Sequence, residues 1–130
     1  MKKIISLCPC GTGANYNDCC GLYLDLKQIP PNAEVLMRSR YTAYTLMREN
    51  YLLASWHVST RPLALDLTKE PLSKWIRLEV KRYVLKNESE ATVEFIAKYK
   101  INGKAYQMHE ISCFVKENGN WFYVEGELSE

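Results

Sequence analysis

The chain has 130 residues, 47% hydrophobic and 25% charged, enough apolar material for one ordinary domain to bury a core without relying on a metal alone. Its 17 Lys and Arg against 15 Asp and Glu leave a formal charge of +2, and residues 116–130 carry Glu117, Glu125, Glu127 and Glu130 against Lys116 alone, a balance that argues against nucleic acid as a partner. No apolar run approaches the roughly 20 residues that cross a bilayer.

The first element is a cysteine cluster. Cys8-Pro-Cys10, eight residues of turn-forming composition and Cys19-Cys20-Gly21 place four of the five cysteines in one stretch. Four thiols so spaced can occupy the corners of a tetrahedron, the geometry Zn²⁺ accepts. Gly11, Gly13, Asn15 and Asn17 tolerate the positive-φ backbone that a loop wrapping an ion requires. Disulfides or free core thiols are the alternatives on the residues alone. Met1-Lys2-Lys3 leads through Ile4-Ile5-Ser6-Leu7 into the cluster without a secretory signal, which predicts a cytoplasmic protein and disfavours disulfides.

This stretch resembles the SEC-C motif, the small zinc module at the C-terminus of the preprotein translocase ATPase SecA. The resemblance implies Cys8, Cys10, Cys19 and Cys20 as Zn²⁺ ligands, Cys20 standing where SecA has histidine. It also implies a protein partner, because the SecA module docks on a chaperone and on the ribosome. The lysines usual in the family's loop are replaced here by Ala14, Asn15, Asn17 and Asp18 around Tyr16, so a basic contact surface does not carry over. The organisation predicted is a zinc-binding module at 1–22, a connector at 23–31 ending on Pro30-Pro31, and a second domain at 32–130.

Asn32 is placed to cap a helix from Ala33 to Arg48, with Glu34 favouring its dipole. At 100° per residue Ala33, Leu36, Met37, Arg40, Ala43, Tyr44 and Met47 share one face, so Arg40 lies in the middle of an apolar stripe. A shorter helix is predicted from Asn50 to Trp56. His57 then opens a loop that could line a pocket mouth. Residues 62–74, with alternating Leu63, Leu65 and Leu67 between Pro62 and Pro71, read as a helix or an extended segment, and a helix is expected.

From Trp75 the period becomes two, with a parity change that predicts a bulge near Lys81 or Arg82. Asn102-Gly103 and Asn118-Gly119 are strong two-residue hairpin signals, dividing the remainder into strands at about 91–101, 104–117 and 120–126. Counting from these turns pairs Tyr99 with Tyr106, Phe95 with Glu110 and Val93 with Ser112, and then Phe114 with Tyr123 and Ser112 with Glu125. Glu110, Ser112, Tyr123 and Glu125 are thereby expected on one apolar face. His109 falls on the opposite face. Cys113 lies there too and reads as a small buried hydrophobe.

Helices followed by a bulged strand and long hairpins make an α+β class, and the order resembles the cone-shaped nuclear transport factor 2-like fold. Leu36-Met37-Arg38-Ser39-Arg40-Tyr41, Tyr51-Leu52-Leu53-Ala54-Ser55-Trp56-His57, Phe95-Ile96-Ala97 and Trp121-Phe122-Tyr123-Val124-Glu125-Gly126 are similar to the YchJ-type bacterial proteins. These join a SEC-C module to such a domain, and the resemblance implies no established activity. The cone interior is expected to hold Arg40, Glu110, Glu125, Ser112 and Tyr44, with Arg40 ion-paired to one of the two glutamates. The leading expectation is an accessory protein that binds a protein or a small ligand. The alternative is an enzyme in which Glu110, Glu125 or His57 transfers protons. An open cavity with an unpaired carboxylate would favour the enzyme, and a filled cone with Arg40 bonded to the carboxylate would favour the binding protein.

Overall fold

The computed structural model describes residues 6–69 and 71–129. After a single 3₁₀ turn at Tyr16–Asp18 come α1 (Gly21–Leu24), α2 (Ala33–Thr45) and α3 (Glu49–Ala54), then β1 (Lys74–Asn87), β2 (Glu90–Ile101), β3 (Lys104–Glu117) and β4 (Asn120–Ser129). The four strands form an antiparallel meander in the order β1-β2-β3-β4, and α2 packs on β1, β2 and β4.

The helix starts where the sequence places it, because Asn32 Oδ1 accepts the Val35 N–H at 2.9 Å and satisfies one free donor of the first turn. It ends three residues before the predicted Arg48. Met47 takes φ 59° and the Arg48 N–H turns back to the Ala43 carbonyl at 2.8 Å, a left-handed cap that stops the helix. α3 likewise ends before Trp56, whose backbone is committed to a bridge with Tyr123. The helix expected over 62–74 does not form. Pro62 and Pro71 frame it, and Asp66 Oδ1 accepts from the Thr68 N–H and hydroxyl, a local turn that competes with helix. Leu65 and Leu67 pack against the core from this irregular segment.

Both Asn-Gly turns carry positive φ, 52° and 79° at Asn102-Gly103 and 51° and 82° at Asn118-Gly119, the twist that closes a hairpin. The β2–β3 register is the one counted from the turn, with Tyr99 opposite Tyr106, Phe95 opposite Glu110 and Val93 opposite Ser112. The β1 bulge lies between Val80 and Arg82, within the expected window. A further irregularity between Trp75 and Arg77 turns Trp75 inward and leaves Ile76 49% exposed.

The β3–β4 pairing departs from the count. Phe114 faces Tyr123, but Cys113 faces Glu125 and Ser112 faces Gly126. Val124 is thus an extra residue on β4, and everything beyond it changes face. The cause lies on the strand's other edge. Tyr123 donates its N–H to the Ser55 carbonyl at 2.9 Å and accepts from the His57 N–H at 2.7 Å, while Thr60 Oγ1 donates to the Val124 carbonyl. The segment 55–60 covers the edge and draws the backbone out of plain alternation. Cys113 is exposed on the outer face, where β4 offers Glu125 and no cover, so its expected burial is wrong.

Candidate functional site: a thiol cluster and the cone cavity

Two groupings of side chains could do chemistry. The first is the cysteine cluster. Gly11 and Gly13 at φ 85° and 89° turn the loop so that the sulfurs of Cys8, Cys10, Cys19 and Cys20 lie within 4.8 Å of one another. The Cys10 and Cys19 sulfurs are 3.6 Å apart. For metal–sulfur arms of roughly 2.3 Å a tetrahedral edge is about 3.8 Å, so four sulfurs at this spacing could hold one ion. All four are free thiols. Without a cation they form a hydrogen-bonded set: thiols of Cys10 and Cys20 donating to Cys8 hold it far below the ordinary thiol range, while hydrogen bonds with Cys10 and Cys8 push Cys20 up and burial pushes Cys19 up. Only a bound cation could make all four thiolates together.

The cluster is not an appendage. Cys8, Cys10 and Cys20 are buried in one core with Leu24, Ala33, Leu36 and Leu78. Thr42 of α2 donates Oγ1 to Cys20 Sγ at 3.2 Å and lies 3.7 Å from Cys8 Sγ. Arg38 donates to the Cys10 carbonyl at 2.9 Å. Sequence reasoning missed Thr42, and the available signal was a small hydroxyl residue on the face of α2 opposite its apolar stripe. At Gly21 a side chain would meet the Tyr16 carbonyl oxygen at 2.7 Å, and Tyr16 Oη donates to Asp25, which also binds Arg48 at 2.9 Å.

The second grouping is a cavity of about 290 Å³ between α2 and the inner sheet face, walled by Tyr41, Tyr44, Trp75, Phe95 and Met108, with Arg40, Glu110 and Ser112 as its polar lining. Trp75 ties the rim together, 5.8 Å from the Tyr41 ring and 5.3 Å from the Tyr99 ring. Burial pushes Tyr41 up to about 12 and raises Tyr44. Burial, reinforced by the Glu110 carboxylate, raises Tyr123 further. These hydroxyls stay protonated and can donate.

The expected ion pair is not formed. Arg40 is buried, yet its Nη1 donates to the Leu52 carbonyl at 2.8 Å and to Ser55 Oγ at 2.6 Å, and its guanidinium carbon sits 4.9 Å from the Trp56 ring centre and 4.5 Å from that of Tyr123. Stacked rings and a helix-end carbonyl hold the cation where a carboxylate was expected. Glu110 instead accepts a short hydrogen bond from Ser112 Oγ, and its carboxylate also acts on the Tyr123 hydroxyl. Glu125 is exposed on the outer face, removed from the cavity by the Val124 bulge. Gly126 takes its place opposite Ser112, and a side chain there would overlap the Glu110 carboxylate. Gly126 and the Arg40 partners Leu52, Ser55 and Trp56 were not foreseen, since bulge and helix-end geometry set them.

His57 does not reach the cavity mouth. Its Nδ1 lies 3.1 Å from the Ser59 N–H, which donates to it, and its Nε2 is 3.0 Å from Glu117 Oε2, at the β3–β4 turn. The Ser59 donor leaves the ring proton on Nε2, directed at Glu117. His109 pairs with Glu94 at 2.7 Å on the outer face, apart from Glu110 as the register requires.

A cysteine-rich knuckle set against a helix-covered antiparallel sheet defines a SEC-C motif joined to a nuclear transport factor 2-like α+β domain. The SEC-C family model matches residues 6–22, and the model for the middle NTF2-like domain of YchJ matches residues 32–126. The chain belongs to this YchJ-like family. It is 51% identical to a UPF0225 protein of Chromobacterium violaceum, over 96% of this chain and 95% of that one. With a UPF0225 protein of Methylibium petroleiphilum it shares 46%, over 93% and 88%. Among solved structures, a SEC-C motif containing protein of Rhodopseudomonas palustris superposes with a TM-score of 0.83 at 34% identity, over 95% of this chain and 98% of that one. One from Psychrobacter arcticus superposes at 0.76 and 31%, over 95% and 82%.

Proposed function

We propose that this protein is a zinc-stabilised cone that binds a small organic ligand in the cavity beneath α2. Four thiolates are soft donors in tetrahedral number, which suits Zn²⁺, and four protein ligands leave no position for a reacting water, so the metal's part is structural. The reading places the protein in the cytoplasm, where thiols stay reduced. Among the described residues no helix is long and apolar enough to cross a membrane.

The observation that carries ligand binding is an accessible, aromatic-walled cavity containing a carboxylate, Glu110, that forms no salt bridge among the described residues. At about 290 Å³ it stands at the small end of ligand pockets, which span roughly 300–1,000 Å³. Its apolar rings would supply affinity and its few polar groups orientation. The same carboxylate favours a second reading, proton transfer by Glu110 to or from the bound molecule, by the criterion set out from the sequence. Binding is common to both readings. The test is elemental analysis of untagged reduced protein together with a fragment screen by protein-observed NMR. About one zinc per chain and fragments that shift the Trp75 and Met108 resonances are expected. Substoichiometric metal would overturn the structural zinc, and an absence of cavity-directed fragments would overturn the ligand site.

A further inference from the structure

Arg40 makes both of its side-chain hydrogen bonds through Nη1. Its Nε and Nη2 have no partner among the described residues. No side-chain nitrogen or oxygen there is both sealed from solvent and without a partner, so these two atoms reach open space, and the space Arg40 lines is the cavity. The residue is only 6% exposed. It is therefore a built donor pair, fixed by Leu52, Ser55, Trp56 and Tyr123 and presented inward without a salt bridge to any described carboxylate.

A guanidinium offering two parallel N–H groups matches a carboxylate, which accepts both in one plane. A buried cation that feels the Glu110 carboxylate only across the cavity is a costly arrangement that an anion in direct contact relieves. The cavity's other charged group is Glu110, which accepts from Ser112 Oγ and has acceptor capacity left for a further proton donor. The walls between are rings and Met108. We infer that the cavity selects small organic acids, with the ligand's carboxylate on Arg40 Nε and Nη2, an apolar, preferably aromatic, body against Tyr44 and Trp75, and a hydroxyl directed at Glu110. This rests on the proposed ligand site and adds the chemical class of its occupant. A neutral molecule would leave Arg40 without its acceptor, and a dianion would set a second negative charge against Glu110.

The test is titration of the zinc-loaded full chain with 4-hydroxybenzoate, benzoate, 4-hydroxybenzyl alcohol and phthalate, followed by NMR shifts of the Trp75 indole and the Met108 methyl. The expected order is 4-hydroxybenzoate, then benzoate, with the alcohol and phthalate at least tenfold weaker than 4-hydroxybenzoate. Arg40→Lys keeps the charge but loses the planar fork, and should lower affinity for both monoacids at least tenfold while leaving the alcohol unchanged. Glu110→Gln should bring 4-hydroxybenzoate close to benzoate. If the alcohol binds as well as the acid, the acid-selective reading is overturned while the ligand site stands. If none of the four shifts either resonance, although neutral fragments enter, the inference fails alone. If nothing enters, both fail. Should Arg40→Lys not fold, the acid-against-alcohol comparison on the native chain decides by itself.

Discussion

Arg40 shows how a buried charge can be accommodated without an ion pair. Its position on the apolar stripe of α2 follows from helical spacing, but its partners are a carbonyl, a hydroxyl and two aromatic rings. Truncation to methionine keeps most of the volume and removes the closer of the two donors to the Leu52 carbonyl, leaving Ser55 Oγ at 3.2 Å, so Arg40→Met is expected to cost about 1–3 kcal/mol in urea denaturation. An ion-paired arginine would cost about 3–5 kcal/mol, since its partner would be left charged in the core. Glu110→Gln should by the same logic shift the melting temperature little. Gly126→Ala tests the other side of the cavity. Its methyl would overlap the Glu110 side chain from the carboxylate back to Cγ and displace it from Ser112 Oγ, so folding should lose about 1–3 kcal/mol while cavity ligands weaken at least tenfold by NMR titration. Thr42→Val removes the hydroxyl that donates to Cys20. Metal competition with a chelator should then read about 10–100-fold weaker affinity.

The elements carry a different lesson about the cysteine segment. Spacing alone marks it as a small unit in front of a larger one, and on that view Cys10→Ser would loosen the first twenty or so residues. Burial of Cys8, Cys10 and Cys20 in the core that also holds Ala33 and Leu36 makes the thiol cluster, with any ion it holds, part of the main fold. Cys10→Ser, or stripping the metal with a chelator, is therefore expected to cost more than about 4 kcal/mol and to reduce hydrogen-exchange protection along α2 as well as in the cysteine segment. Unchanged protection in α2 would show the segment to be independent. The β4 bulge acts at the same scale, since one additional residue moves Glu125 to the outer face and sets Gly126 opposite Ser112.

Across the molecule, α2 is the shared wall of the two sites, with Thr42 toward the thiols and Arg40 toward the cavity. The chain should accordingly unfold as one cooperative unit. Heating is expected to give coincident transitions for metal release, read by a colorimetric chelator, and for tryptophan fluorescence from Trp56, Trp75 and Trp121. Two separated transitions would contradict this coupling.

What local sequence settles in this protein is what local physics controls. The Asn32 cap, the two Asn-Gly turns, the β2–β3 register and the grouping of four thiols each depend on residues adjacent in the chain or counted from a tight turn, so all were legible beforehand. The family resemblance was legible for the same reason, being carried by contiguous motifs. Tertiary structure alone decided which carboxylate enters the cavity and what holds Arg40. Both depend on the segment 55–60 docking along β4, a contact between residues some 65 positions apart, and a one-residue bulge is enough to exchange the faces of Glu125 and Gly126. The docking of the thiol cluster on Thr42 belongs there too, because no periodicity shows what will cover the second face of a helix until the fold brings that cover to it.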